Sequence, residues 1–171
     1  MDLQKPSQMM PEEFNELVQR VTIRITKQVA KIDLSCSDNS LDIAKEPCTV
    51  YTTLDGTYHT NLIFCAEKEF LRRMTENMMG EPIQYADDVE EYSKEFFNIL
   101  CGHIVREVHK ETKSGASFYP PCFVDGHYAP DMPEHCAEAM IWFTSNHSEN
   151  MVLVRDSIQF SHTADVHGKE H

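Results

Sequence analysis

The stretch DDVEEYSKEFFNILCGHIVREVHKETKSG, residues 87 to 115, constrains this chain more than any other. Asp88 with Glu91 three residues later forms a capping box, and Lys110, Lys113 and Gly115 suit a C-terminus, where carbonyls lack partners and glycine turns left-handed. A helix of about 25 residues is predicted, roughly 37 Å long. At ~100° per residue, Val89, Ser93, Phe96, Leu100, His103 and Ile104 fall near one line, flanked by Tyr92, Phe97 and Ile99, and make the buried face. Glu91, Glu95, Asn98 and Gly102 lie opposite and face solvent or a partner.

Two residues on that outer line are poor choices for a stable helix. Asn and Gly in a helix interior cost up to ~0.7 and ~1 kcal/mol relative to Ala. An exposed helix has no structural need for either. Gly102 lies one turn beyond Asn98 and has no side chain, so a foreign surface could approach the amide closely. A local rule broken without compensation tends to mark a functional site. A carboxylate and an amide three apart also arise often by chance on solvated helices, so the spacing alone does not decide the matter.

Composition narrows the partners. The 171 residues suit one domain, with hydrophobic content of 41% and charged content of 25%. The net charge of −13 opposes binding to nucleic acid or anionic lipid. The N-terminal MDLQKPSQMM lacks an apolar signal core, and no run of ~18 apolar residues occurs, so a cytoplasmic location and no membrane association are expected. Cys36, Cys48, Cys65, Cys101, Cys122 and Cys136 include no C-x-x-C and read as reduced, mostly buried thiols. No histidine pattern suggests a metal site. Glu134-His135-Cys136 would be three adjacent side chains of an extended segment, which cannot all face one ion.

Along the chain, Pro11 opens a helix running to about Lys31, carried by Phe14, Leu17, Val18, Val21, Ile25, Val29 and Ile32, although its VTIRIT run would also suit a strand. Residues 35–47 read as irregular. Asp55-Gly56 joins two alternating strands as a type I′ hairpin. A short helix with Phe70, Leu71, Met74 and Met78 on one side ends at Gly80. After the long helix, residues 117–126 begin as a strand that Pro120 and Pro121 interrupt, and Asp125-Gly126-His127 reads as a turn. Residues 137–144 and 151–160 form a final hairpin in which Trp142 and Phe143 point to opposite faces. The order predicts an α/β chain of the α+β type, a largely antiparallel β-sheet with packed helices. It forms a single domain over 1–171, with an ordered core at about 11–160 and a loose tail from 161.

The motif Glu95-x-x-Asn98-x-x-x-Gly102, with Glu91 four residues before Glu95, the Gly80-Glu81-Pro82 close of the preceding helix, and the Pro-then-Gly strand after the long one, resembles the CheC/CheX phosphatase family of bacterial chemotaxis. It is most similar to the single-site CheX branch. Glu12-x-x-Asn15 repeats the local spacing where the CheC branch has a second site, but Gln19 stands in place of the glycine and Glu12 suits a helix first turn.

The resemblance implies hydrolysis of the phosphoaspartate of a CheY-like receiver domain. Asn98 would orient the attacking water, and Glu95 would pair with the receiver lysine. Glu91, Lys94 and Gly102 would belong to the docking surface. No cofactor of the chain's own is expected, because Mg²⁺ would sit in the receiver. The alternative is a non-catalytic module that docks a receiver or self-associates, as a homodimer through sheet edges, with the β-branched final strands as the candidates. A small-molecule enzyme has little support, since neither a Gly-rich phosphate loop nor a nucleophile–base pair is present.

Overall fold

The computed structural model describes residues 9–37, 46–56, 58–126, 137–156 and 159–160. The expected tail from 161, the Glu134-His135-Cys136 triplet and His127 lie outside them. The helices are α1 (Pro11–Ala30), α2 (Lys68–Met79) and α3 (Asp88–Thr112). The strands are β1 (Leu34–Ser37), β2 (Pro47–Gly56), β3 (Tyr58–Glu67), β4 (Ala116–Phe118), β5 (Cys122–Asp125), β6 (Ala137–Ser145), β7 (Asn150–Asp156) and β8 (Gln159–Phe160).

All described strand pairs are antiparallel, in the order β1-β6-β7-β3-β2-β4, with β5 also on β2 and β8 on β3. This is the α+β architecture that the hairpin-dominated order predicts. Alternation along the strands sorts the two faces. Val50, Leu54, Leu62, Phe64, Met151, Leu153 and Phe143 enter one core together with residues of all three helices. On the other face Cys65 and Val152 form a small cluster, with Trp142 and Val154 partly buried against it. Trp142 and Phe143 do take opposite faces, and the tryptophan rests on its neighbouring strands.

The VTIRIT segment is helical, and its two buried threonines are satisfied within the helix itself. The buried Thr22 and Thr26 hydroxyls donate to the carbonyls of Val18 and Thr22, both at 2.7 Å, so neither leaves an orphan in the core. Pro11 stands at the helix start, and Lys31 turns left-handed at its end.

Several boundaries differ from the sequence reading. Residues 34–37 form β1 against β6, where an irregular segment was expected. Four residues are too short for periodicity to reveal, and only the partner strand defines them. Asp55-Gly56 is not a type I′ turn: both residues continue β2, and Asp55 does not have the positive φ that such a turn demands at both centres. Gly56 has φ 131°, and a Cβ there would lie 2.6 Å from the Gly115 carbonyl oxygen, so this glycine serves the close passage of β4. The last segment divides into β7 and β8, and β6 and β7 are interior strands rather than the free edges expected of the final hairpin. Among the described residues the edges are β1, the β4–β5 line, which Pro120 and Pro121 interrupt, and the two-residue β8, which pairs only with β3.

Three of the five described cysteines, Cys48, Cys65 and Cys101, are buried, whereas Cys36 and Cys122 are exposed; all five are free thiols. Burial, reinforced by the Asp125 carboxylate, pushes the Cys48 thiol up to about 11, and burial alone raises Cys101.

Ser93 is the exception to the local satisfaction seen in the threonines. Its hydroxyl is fully buried on α3 and has no hydrogen-bond partner among the described residues. Thr75 and Thr112, by contrast, donate to the carbonyls of Leu71 and Val108. Removing an unsatisfied buried hydroxyl relieves a desolvation penalty, so Ser93→Ala is expected to stabilise the protein by about 1 kcal/mol. Urea unfolding checks this, and an unchanged or lowered midpoint contradicts it.

Candidate functional site

What sets the site is the roll of α3 about its own axis. Phe96 and Phe97, the bulky pair between Glu95 and Asn98, are both buried. Phe64 of β3 lies between them and α2, with ring centroids 6.1 Å from Phe96, 6.2 Å from Phe97 and 6.3 Å from Phe70. The rings meet in tilted geometry, the arrangement aromatic quadrupoles favour. With adjacent positions both anchored inward, Glu95 and Asn98 have to point out.

The buried face is therefore turned from the expected line toward Phe97, Cys101, Ile104, Val108 and Thr112. His103, expected in the core, is only half-buried. Burial first, then the nearby Arg106 and Arg24, lower its imidazole pKa below the ordinary value.

The ends of α3 also differ from the expected signals. Asp87 is the N-cap, without a side-chain capping bond. The Asp88 carboxylate reaches backward instead, accepting the Gln84 and Tyr85 N–H groups at 3.2 and 3.0 Å. Glu91 joins this end only through its backbone N–H, which donates to the Asp87 carbonyl. At the other end Lys113, not Gly115, adopts the left-handed conformation at φ 59°, and its N–H donates to the His109 carbonyl at 2.8 Å.

The sequence-predicted residues occupy one side of this rod. Glu91, Glu95 and Asn98 are exposed, and Gly102 and Lys94 are half-exposed. Neither the Glu95 nor the Asn98 side chain makes a hydrogen bond or ion pair with a described residue. Lys94 is 3.7 Å from Glu90, one turn back. A Cβ added at Gly102 would meet nothing within 4 Å, so no packing inside the chain demands glycine there. The arrangement offers a carboxylate and an amide, unclaimed by any described residue, above a bare helical turn. Their chemistry is to accept from a cation and to hold a water by accepting and donating at once.

The corresponding pair on α1 has a different fate. Asn15 is half-buried, and its carbonyl oxygen accepts from the Arg155 guanidinium at 2.7 Å. Arg155 itself is buried and lies 5.9 Å from the Phe14 ring centre. Asn15 is thus a structural acceptor inside the fold. Gln19 in place of the glycine already sets this pair apart, but the arginine that Asn15 holds is 140 residues away and nothing local announces it.

Among the described residues, no group of three or more His, Cys, Asp or Glu side chains is placed to hold a metal ion. No described helix is long and apolar enough to cross a membrane.

A family model described as "Chemotaxis phosphatase CheX" matches residues 48–144, which include both α2 and α3. No curated protein matches the sequence. Solved structures share the fold at low identity. The chemotaxis protein CheX of Desulfovibrio desulfuricans superposes with a TM-score of 0.69 at 17% identity, covering 86% of this chain and 99% of that one. The chemotaxis protein CheX of Vibrio vulnificus gives 0.69 at 16% identity, covering 86% and 99%. A CheX–CheY–BeF3–Mg²⁺ complex from Borrelia burgdorferi gives 0.66 at 15% identity, covering 85% and 97%.

The two asparagines should respond oppositely to truncation. Asn15→Ala leaves a buried guanidinium short of an acceptor and is expected to destabilise by about 2 kcal/mol. Asn98→Ala removes a poor helix former that bonds no described residue and should leave stability unchanged or raise it by up to ~0.7 kcal/mol. Denaturant unfolding of the two variants, side by side, checks the contrast; equal losses would show that Asn98 is structural after all.

Proposed function

This chain belongs to the CheX family of chemotaxis phosphatases, and from that membership we propose that it hydrolyses the phosphoaspartate of a CheY-like receiver domain through Asn98 and Glu95. The observation that carries the reading is that these two side chains stand exposed, without a partner among the described residues, on a helix whose roll is fixed by buried phenylalanines.

Acyl-phosphate hydrolysis in this setting asks little of the second protein. The receiver's Mg²⁺ and lysine stabilise the charge on the phosphoryl group, so what remains is to fix a water in line with the departing carboxylate oxygen. The Asn98 carbonyl accepts a hydrogen bond from that water, and its NH₂ group donates to an oxygen of the phosphoryl group. An amide orients without ionising, so the step needs no general base from this chain. Glu95, one turn earlier, pairs with the receiver lysine and sets the register of docking. Gly102 leaves room for the receiver surface, and Glu91 and Lys94 border it.

A second reading keeps the same face as a docking site without catalysis, or uses a free sheet edge to hold another copy. Within the described residues those edges are β1, the β4–β5 line and the short β8. Phosphate release separates the two, because a docking module binds the phosphorylated receiver and leaves its lifetime unchanged.

Stimulated dephosphorylation, followed by phosphate release from a phosphorylated receiver, is the direct test. Asn98→Ala is expected to reduce the turnover number about 100-fold or more, the loss that follows from a mispositioned reactant. Glu95→Ala is expected to raise KM about tenfold, or ~1.4 kcal/mol, with a smaller change in kcat. Full activity in Asn98→Ala refutes the assignment.

A further inference from the structure

Among the described residues, arginine side chains find an oxygen of their own chain, with one exception. Arg20 reaches Glu111 at 3.3 Å and Arg24 reaches Glu107 at 3.7 Å, tying α1 to α3. Arg72 bonds Glu76 at 3.3 Å, Arg73 bonds Glu149 at 2.6 Å, and Arg155 bonds Asn15 at 2.7 Å. Arg106 is exposed on α3 and has no hydrogen bond or ion pair among the described residues.

Its position gives that exception meaning. Residues 98, 102 and 106 are spaced by four, so Arg106 stands on the same side of the rod as Gly102, one turn farther on. It is two turns from Asn98, about 12 Å along the axis, beyond the reach of the group Asn98 addresses. Between them lies the bare turn at Gly102, where an added Cβ would touch no described residue within 4 Å.

The charges along this face are also sorted. The first half of α3 and its N-cap carry Asp87, Asp88, Glu90, Glu91 and Glu95, with Lys94 engaged by Glu90. In the second half Glu107 and Glu111 are taken up by the α1 arginines, which leaves Arg106 as the uncompensated charge beside Gly102. Basic residues in a last turn often serve the helix dipole, but Arg106 precedes the last turn, where His109 and Lys110 stand.

We propose that Arg106 is a docking residue that meets a carboxylate on the receiver surface, so that the acidic and basic halves of α3 together fix which way round the receiver lies across Asn98. This rests on the phosphatase reading. The contact is outside the reacting group, and its effect is on engagement rather than on the chemical step. A guanidinium without an intramolecular partner is available to a carboxylate at no loss of an existing bond. A partner docked the wrong way round would bring its acidic surface against Glu91 and Glu95, a like-charge clash that disfavours it.

The test measures binding and turnover separately. Receiver domains of the organism that makes this chain, loaded with beryllofluoride and Mg²⁺, are titrated with the wild-type protein and with Arg106→Lys and Arg106→Glu. Turnover at saturating phosphorylated receiver is measured in parallel. Arg106→Glu is expected to weaken binding about tenfold or more, with a gentler dependence of affinity on salt, and to keep kcat within about twofold and the thermal midpoint unchanged. Arg106→Lys should retain most of the affinity. Equal binding by wild type and Arg106→Glu overturns the docking role while leaving the phosphatase reading standing. A wild-type protein that binds no receiver overturns that reading and the inference with it.

Discussion

Everything on the outer face of α3 depends on a junction of rings beneath it. Phe64, from the middle of the sheet, packs at once against Phe70 of α2 and against Phe96 and Phe97 of α3. Each buried aromatic brings a large apolar surface, and close packing leaves a ring few alternative positions. Two adjacent anchors on one helix define its rotation more sharply than one would. Glu95 and Asn98 flank that pair, so their direction follows from the core rather than from any bond of their own. A helix held this way can present side chains that have no partner among the described residues and still hold them steady.

The same device explains the different lives of two similar motifs. Glu12-x-x-Asn15 and Glu95-x-x-Asn98 look alike over four residues, and both lie on helices. Asn15 meets the buried Arg155 and is used up as its acceptor; Asn98 meets no described residue. Arginines behave likewise, because those of α1 neutralise the carboxylates late in α3 and leave Arg106 alone. Availability is a property of the assembled molecule: a polar group is free only when the fold has not already employed it.

Where local signals fell short, the cause was a group that could serve more than one backbone. Asp88 carries the residue type of a cap, yet its carboxylate bonds the loop before the helix, stiffening the turn in which Tyr85 stands 70% exposed. Gly115 was available as a left-handed terminator, but Lys113 adopts that conformation first and the glycine lies where β4 passes Gly56. Asp55-Gly56 likewise has the composition of a tight turn while the pairing of β2 with β4 keeps it extended. Propensity ranks the candidates for such roles, and sheet pairing and chain passage select among them.

The sequence by itself determined the existence of the three helices, the antiparallel class and the Glu95/Asn98/Gly102 line, because helical and strand periods are written directly into the order of apolar residues. Tertiary structure alone decided that β1 joins the sheet, that β6 and β7 lie inside it, and that the buried stripe of α3 turns toward Cys101 and Val108. It alone decided, too, which asparagine and which arginine remain unclaimed. Those outcomes depend on residues far apart along the chain meeting in space, and a repeat read within one segment carries no record of what that segment will touch.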